Sequence, residues 1–500
     1  MNVNDLATLN LDIAAASVSF CGEATWAIAR LADGPRLVVL ASPRAPFLAR
    51  LEGDASDHLG ATLMVGPTSA ANAAVLRERF AWLVPAPIGI STSIGLGDRL
   101  GLATPGHIRA LRAAGRGITP VFAQQSMREM ARTGRTPRQV IDDAMWGAFA
   151  EGWRDGFGAD ADHLKEPADI DQTIAAGFTL FTIDPGAHVD PAAETASASH
   201  LRHALETLPW PQLEDSLEPL RRRYLGRTFD CDGVPVAFDE WTLAKAAVKY
   251  ARAVAQVTTM ARHLESTATR PFEMEVSVDE TEQPTSHAEH VFIATELTRL
   301  GVRWVGLAPR FVGRFEKGVD YIGDLGEFDT HFAGHAAIAR ALGPYKLSLH
   351  SGSDKFSAYP IAARHARGLV HLKTAGTSYL EALRTAARLD PPLFRQLYAF
   401  ARERYETDRE SYHVSARLER APRPDEIPDA DLAGLVDDFH AREILHVTFG
   451  SVLCPASDPG GNRLGARLRA LIVRHSDAYA ANLERHFARH LAPFASARQH

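Results

Sequence analysis

Cysteine is scarce in this chain, and the three that occur, Cys21, Cys231 and Cys454, are far apart and odd in number. No CxxC pair exists, so neither a disulfide framework nor a thiolate zinc site is available, and a reducing, cytoplasmic setting is expected. Long apolar runs are missing too: no stretch approaches the ~18 residues needed to cross a bilayer. The N-terminus, "MNVNDLATLNLDIAAASVSFCGEA", has no Lys or Arg ahead of its weakly apolar part, unlike a secretory leader. Positive charge is not in excess either, with 54 Lys and Arg against 61 Asp and Glu. That balance disfavours nucleic acid and anionic membranes as partners and favours a small-molecule ligand, with homo-oligomerisation left open. Neither GxGxxG opening a helix nor GxxxxGK[ST] occurs, which removes the simplest dinucleotide and nucleotide-hydrolysis readings.

What is present is a rhythm. From about residue 90, short apolar or β-branched runs alternate with helical patterns. The runs are "STSIGLGDR" (91–99), "TPVFAQQS" (119–126), "GFGADADHLK" (156–165), "GFTLFTIDPG" (177–186), "FEMEVSVDETE" (272–282), "VRWVGLAPRF" (302–311), "YKLSLHSGSD" (345–354) and "LVHLKTAGT" (369–377). Helical patterns cover 136–156, 287–301 and 328–343. Eight parallel strands with intervening helices predict an α/β fold, a TIM-like (β/α)8 barrel over 91–377, with an open doubly wound sheet as the alternative. Residues 1–90 read as a small mixed N-terminal segment, 187–271 as a largely helical insertion, and 378–500 as a helical C-terminal extension.

Polar residues collect at the C-terminal ends of the runs, where such a barrel builds its site. Strand alternation sends Ser348 and His350 inward, and likewise His371 with Lys373 and Thr182 with Asp184. "ADADHLK" adds Asp160, Asp162 and His163. Imidazoles and carboxylates from different strands are the ingredients of a divalent metal site, so His163, His350 and His371 are the expected ligands, with Glu280 or Asp279 as the nearby carboxylate. "SGSDKFS" (351–357) offers backbone N–H groups at Ser351 and Gly352 and donors on Ser353 and Lys355, suiting a carboxylate or several hydroxyls, while Asp354 reads equally as a helix cap. Asp184 and His188 read as turn residues, and His331 and His335 as helix packing.

"YKLSLHSGSDKFSAYP" (345–360) and "HLKTAGTSYLEALR" (371–384) resemble the tagaturonate epimerase family of bacterial hexuronate catabolism. "GADADHLK" (158–165), "FTIDPGAHV" (181–189), "EVSVDETEQPT" (275–285) and "LAPRFVGRFEKGVDYIGD" (307–324) extend the likeness in order. The resemblance implies a divalent-metal enzyme (Zn, Mn, Co or Ni) that interconverts D-tagaturonate and D-fructuronate. These hexulosonates differ at one carbon, β to the ketone, whose hydrogen the carbonyl does not acidify. Retro-aldol cleavage and re-addition, with a metal-stabilised enediolate, is then favoured over transient oxidation by nicotinamide. In that scheme Asp162 and Glu280 are the acid–base pair, and Arg310, Lys317, Lys355 and Lys373 hold the substrate carboxylate. Another metal-dependent sugar enzyme on the same barrel, an aldolase or ketose isomerase, is the alternative.

Overall fold

The structure is a computed structural model, and it describes residues 6, 8–454 and 463–495. The first residues of the N-terminal segment and the end of the C-terminal extension lie outside that set. All eight expected runs form strands. In chain order the strands are β1 (Ser19–Cys21), β2 (Ala24–Leu31), β3 (Gly34–Ala41), β4 (Asp54–His58), β5 (Ala61–Pro67), β6 (Ser93–Leu96), β7 (Thr119–Ser126), β8 (Gly158–Leu164), β9 (Leu180–Ile183), β10 (Thr228–Cys231), β11 (Val234–Ala237), β12 (Glu273–Ser277), β13 (Gly306–Ala308), β14 (Lys346–Leu349) and β15 (Val370–Thr374). The closed barrel runs β12-β13-β14-β15-β6-β7-β8-β9, and every pair in it is parallel.

The N-terminal segment is an antiparallel sheet in the order β1-β2-β3-β5-β4. One of its two-residue turns, Leu59-Gly60 between β4 and β5, holds both residues at positive φ, the conformation that matches the twist of such a hairpin. Alternation along β2 and β3 sends Trp26, Ile28, Leu37 and Val39 into the main core, and Ala27, Ala29 and Val38 into a small cluster on the other face.

Residues 187–271 differ from a simple insertion. They contain the β10–β11 hairpin, whose Asp232-Gly233 turn also lies at positive φ. They also contain the helix Glu240–Thr267, which connects β9 to β12 and packs against the neighbouring barrel helices Pro167–Ala176 and His287–Arg299. That long helix is therefore the crossover that the parallel β9–β12 pair requires. The C-terminal helices close over barrel helices, Ser476–Leu491 lying along Thr104–Ala114. Among the described residues no helix is long and apolar enough to cross a membrane.

Candidate active site at the barrel mouth

Parity places the floor of the site. Leu347 and Leu349 are buried toward the helices, while Ser348 and His350 turn inward onto Glu275. Parity alone would send Asp162 and His163 to opposite faces. The structure breaks it with a register shift between Ala161 and Leu164 against β9 and a left-handed His163 (φ 55), so consecutive residues both reach the mouth.

Lys373 is the hub. Its Nζ lies 2.8 Å from a carboxylate oxygen of each of Asp160, Asp162 and Glu275, and 2.7 Å from Thr182 Oγ1. All of these groups are buried. Burial opposes the Lys373 ammonium, but three carboxylates override it and hold its pKa well above the usual lysine value. Burial would likewise raise Asp162 and Glu275, and Lys373 with the nearby imidazoles pulls both below the carboxylate range. Asp160 stays high, pushed by burial to about 6 against Lys373, because Asp162 and Glu275 repel its charge.

His350 bridges the hub and the mouth, with Nε2 2.7 Å from Glu275 Oε1 and Nδ1 3.1 Å from Asp279 Oδ1. Burial and Lys373 work against its protonation, yet Asp279 and Glu275 raise it to about 10. His163 presents Nδ1 to Asp184 Oδ2 at 3.1 Å, leaving Nε2 toward Asp162. One ligand-type atom from each of Asp162, His163 and His350 falls within 4.8 Å of the others. His163, backed by Asp184, and the Asp162 carboxylate are donors that suit a divalent cation, and His350 would join them by exchanging one of its two carboxylate contacts for the ion, so the residues present fit one. Asp184 is the turn residue expected from the sequence, accepting from Gly186 N at 2.9 Å, and its other oxygen also orients His163.

Several expected site residues sit elsewhere. His371 lies one layer deeper, its Nδ1 2.8 Å from Ser93 Oγ, and belongs to no metal-competent group among the described residues. Two residues along a strand is a full layer of the barrel, which separates it from the mouth. Lys355 is completely buried and donates to the carbonyls of Glu316 (2.8 Å), Val319 (2.5 Å) and Ser353 (3.0 Å), so it ties two loops together and has no N–H left for a carboxylate. Lys373 is in the site but is already matched by three carboxylates, an environment that repels a fourth. Asp354 caps no helix; it is held by Arg442 at 2.8 Å and His486 at 2.5 Å. His331 and His335 pack with His287 and His290, as expected of helix residues.

Glu280 stands on the rim, 3.1 Å from Arg128, outside the inner cavity. That cavity is lined by Gln124, Asp162, His163, His350 and Lys373, with Lys317, Ser351 and Ser353 above. A wider cleft of about 500 Å³ shares Lys317 and Ser351 with it and carries Arg128, Arg310 and Arg314. Arg310 Nε is buried there without a partner. Sequence reasoning missed Glu275, Gln124 and Arg128. Glu275 was findable, because "EMEVSVD" alternates Glu273, Glu275, Ser277 and Asp279 with Met274, Val276 and Val278. Arg128 carried no such signal.

The family profile described as UxaE, tagaturonate epimerase, matches residues 15–494. A curated relative from Thermotoga maritima, tagaturonate/fructuronate epimerase, is 45% identical over 420 residues, 84% of each chain. The glycerol-complexed crystal structure of fructuronate-tagaturonate epimerase UxaE from Cohnella laeviribosi superposes with a TM-score of 0.92 at 35% identity, covering 98% of each chain. Its two-glycerol complex gives 0.92 at 34%, covering 99% of each. With the barrel mouth and these likenesses together, this chain belongs to the tagaturonate epimerase family.

Proposed function

We propose that this epimerase interconverts D-tagaturonate and D-fructuronate by opening and remaking the bond between the epimerising carbon and the carbon beside the ketone. The observation that supports it most is the layering of charge. At the rim, over a floor of carboxylates, imidazoles and amide, Arg128 and Arg314 are paired with Glu280 and Glu316 while Arg310 and Lys317 also line the cleft, so an acid sugar has its carboxylate at Arg310 and Lys317 and its hydroxyls and ketone at the floor. The unpaired Arg310 Nε and Lys317 are the carboxylate-holding pair, and Ser351 and Ser353 line the passage between rim and floor.

His163 and His350, beside Asp162, would hold a divalent cation, which when bound supplies Lewis-acid polarisation of a carbonyl oxygen. Asp162 accepts the proton of the epimerising hydroxyl, keeping one oxygen on Lys373 and the other on Gln124 Nε2 at 3.1 Å. The buried Lys373 ammonium fixes Asp162 in place for that transfer, and breaking the C–C bond leaves the negative charge on the ketone fragment. Rotation of the aldehyde fragment and re-addition to its other face gives an alkoxide, which takes up one proton from water as Asp162 gives up the one it accepted, completing the epimer.

Two results are expected. Purified protein should convert D-tagaturonate to D-fructuronate, with the neutral sugars tagatose and fructose at kcat/KM lower by about 10- to 100-fold, the value of charge-assisted hydrogen bonds to the missing carboxylate. Equal turnover of acid and neutral sugars contradicts the reading. A ¹³C isotope effect at the two carbons of the cleaved bond, without a primary deuterium effect at the carbinol C–H and without solvent deuterium in the product, is expected for retro-aldol chemistry. The reverse isotope pattern points to transient oxidation, and solvent deuterium at that carbon to direct deprotonation.

A further inference from the structure

The inner cavity has a wall that the barrel does not supply. His446, near the end of the helix Phe439–Val447 in the C-terminal extension, lines it together with Lys317, Gly318, Ala375 and Gly376. The side chain is 99% buried, 1% exposed, and its Nδ1 has no hydrogen-bond partner. Two loops make room for it. A Cβ on Gly376, after β15, would come within 1.8 Å of His446 Nε2, and one on Gly318, after β13, within 2.9 Å of Cδ2. Its backbone carbonyl accepts from Arg99 at 3.4 Å. An imidazole held between two glycines, without a protein partner for one nitrogen and facing a polar cavity, is placed to meet a ligand.

Strand order fixes where this wall stands. The β13 and β15 loops flank β14, and β14 lies four strands from β8 in either direction around the ring of eight. Asp162 is on β8, so His446 faces the site from the opposite side. Glu280 follows β12, only two strands from β8, and is paired with Arg128 on the rim. An enzyme that inverts one hydroxyl-bearing carbon receives that oxygen on one wall in one epimer and on the other wall in the other epimer. Resting on the function proposed above, we infer that His446 is a substrate-contacting residue that hydrogen-bonds the oxygen of the epimerising carbon on the wall opposite Asp162. Burial, with Arg99, Lys317 and Arg442 nearby, holds its pKa well below the usual histidine value, which leaves a neutral ring offering one N–H and one lone pair. The C-terminal extension is thereby part of the active site.

The test is steady-state kinetics in both directions on His446→Ala and on His446→Phe, which fills the slot without ring nitrogens, each checked for cooperative unfolding. The overall equilibrium fixes the ratio of the two kcat/KM values, so both must fall by one common factor, expected at about 10- to 100-fold. The split is diagnostic. For the epimer whose oxygen meets His446 the loss should appear as raised KM; for the other it should appear as lowered kcat with KM within about twofold. Wild-type kinetics in either folded variant, or KM values that move together for both epimers, overturn the inference while leaving the proposed function intact. A wild-type protein that converts neither hexulosonate overturns the function itself.

Discussion

Lys373→Met is expected to destabilise the protein by about 3–5 kcal/mol at neutral pH, the usual result of removing one partner from a buried charge group, and to reduce turnover by at least about 10²-fold. Methionine keeps the unbranched stem and most of its length, so the loss comes chiefly from charge and hydrogen bonds. Asp160, Asp162 and Glu275 would be left buried beside one another with no cation. The effect has a pH signature. In the wild type, Asp162 and Glu275 titrate below their unfolded values, so their contribution is present above about pH 4 and is lost as acid protonates them. Lys373 is raised, so its contribution is complete below about pH 10.5 and is lost only in stronger alkali. Asp160, near 6, has the opposite sign: its cost is relieved as pH falls through that value. In the variant all three carboxyls shift upward and discharge on acidification. Urea unfolding should therefore show the widest gap between wild type and variant from about pH 7 to 10, narrowing toward pH 5. A gap independent of pH contradicts the hub.

His350→Ala is expected to lose the metal and the activity together. Three functions end with that ring: one of the three converging ligand-type atoms, the bridge between Glu275 and Asp279, and the screen between those two carboxylates. Exhaustive chelation of the wild type should likewise abolish turnover, and Mn²⁺, Co²⁺, Ni²⁺ or Zn²⁺ should restore it, since mixed nitrogen and oxygen donors accept all four. Metal analysis, turnover and a thermal melt on the same preparations check this. Full activity in protein shown to be free of metal ends the metal proposal, and a His350→Ala variant with undiminished metal content removes His350 from the ligand set. Removing a merely structural histidine would lower the melting temperature and leave metal content unchanged.

The barrel was legible because its information is local. Each run carries its own period-2 alternation, bounded by Gly, Pro or Asp, and short-range pattern suffices to mark a strand and its inward face. That is why Ser348, His350 and Lys373 were placed inward correctly. The hairpin β10–β11 escaped because it lies between two helices, Leu217–Tyr224 and Glu240–Thr267, in a region dominated by helix signals.

Charge type and inward parity, then, are properties of the sequence by itself: it determined a (β/α)8 barrel with imidazoles and carboxylates at one mouth. Which of those groups meet is a property of three-dimensional closure. Lys355 and Lys373 are both lysines at barrel strand ends, yet one is consumed by three carbonyls and the other by three carboxylates. His163 joins Asp162 only because a left-handed residue breaks alternation, and His371 and His350 separate only because the layers of the barrel are stacked. His446 reaches the cavity from beyond the last strand, through space left by two glycines. Pairings of this kind depend on distances between segments hundreds of residues apart, which only the folded chain defines, because electrostatic and hydrogen-bond energies act over a few ångströms of space and not along the sequence.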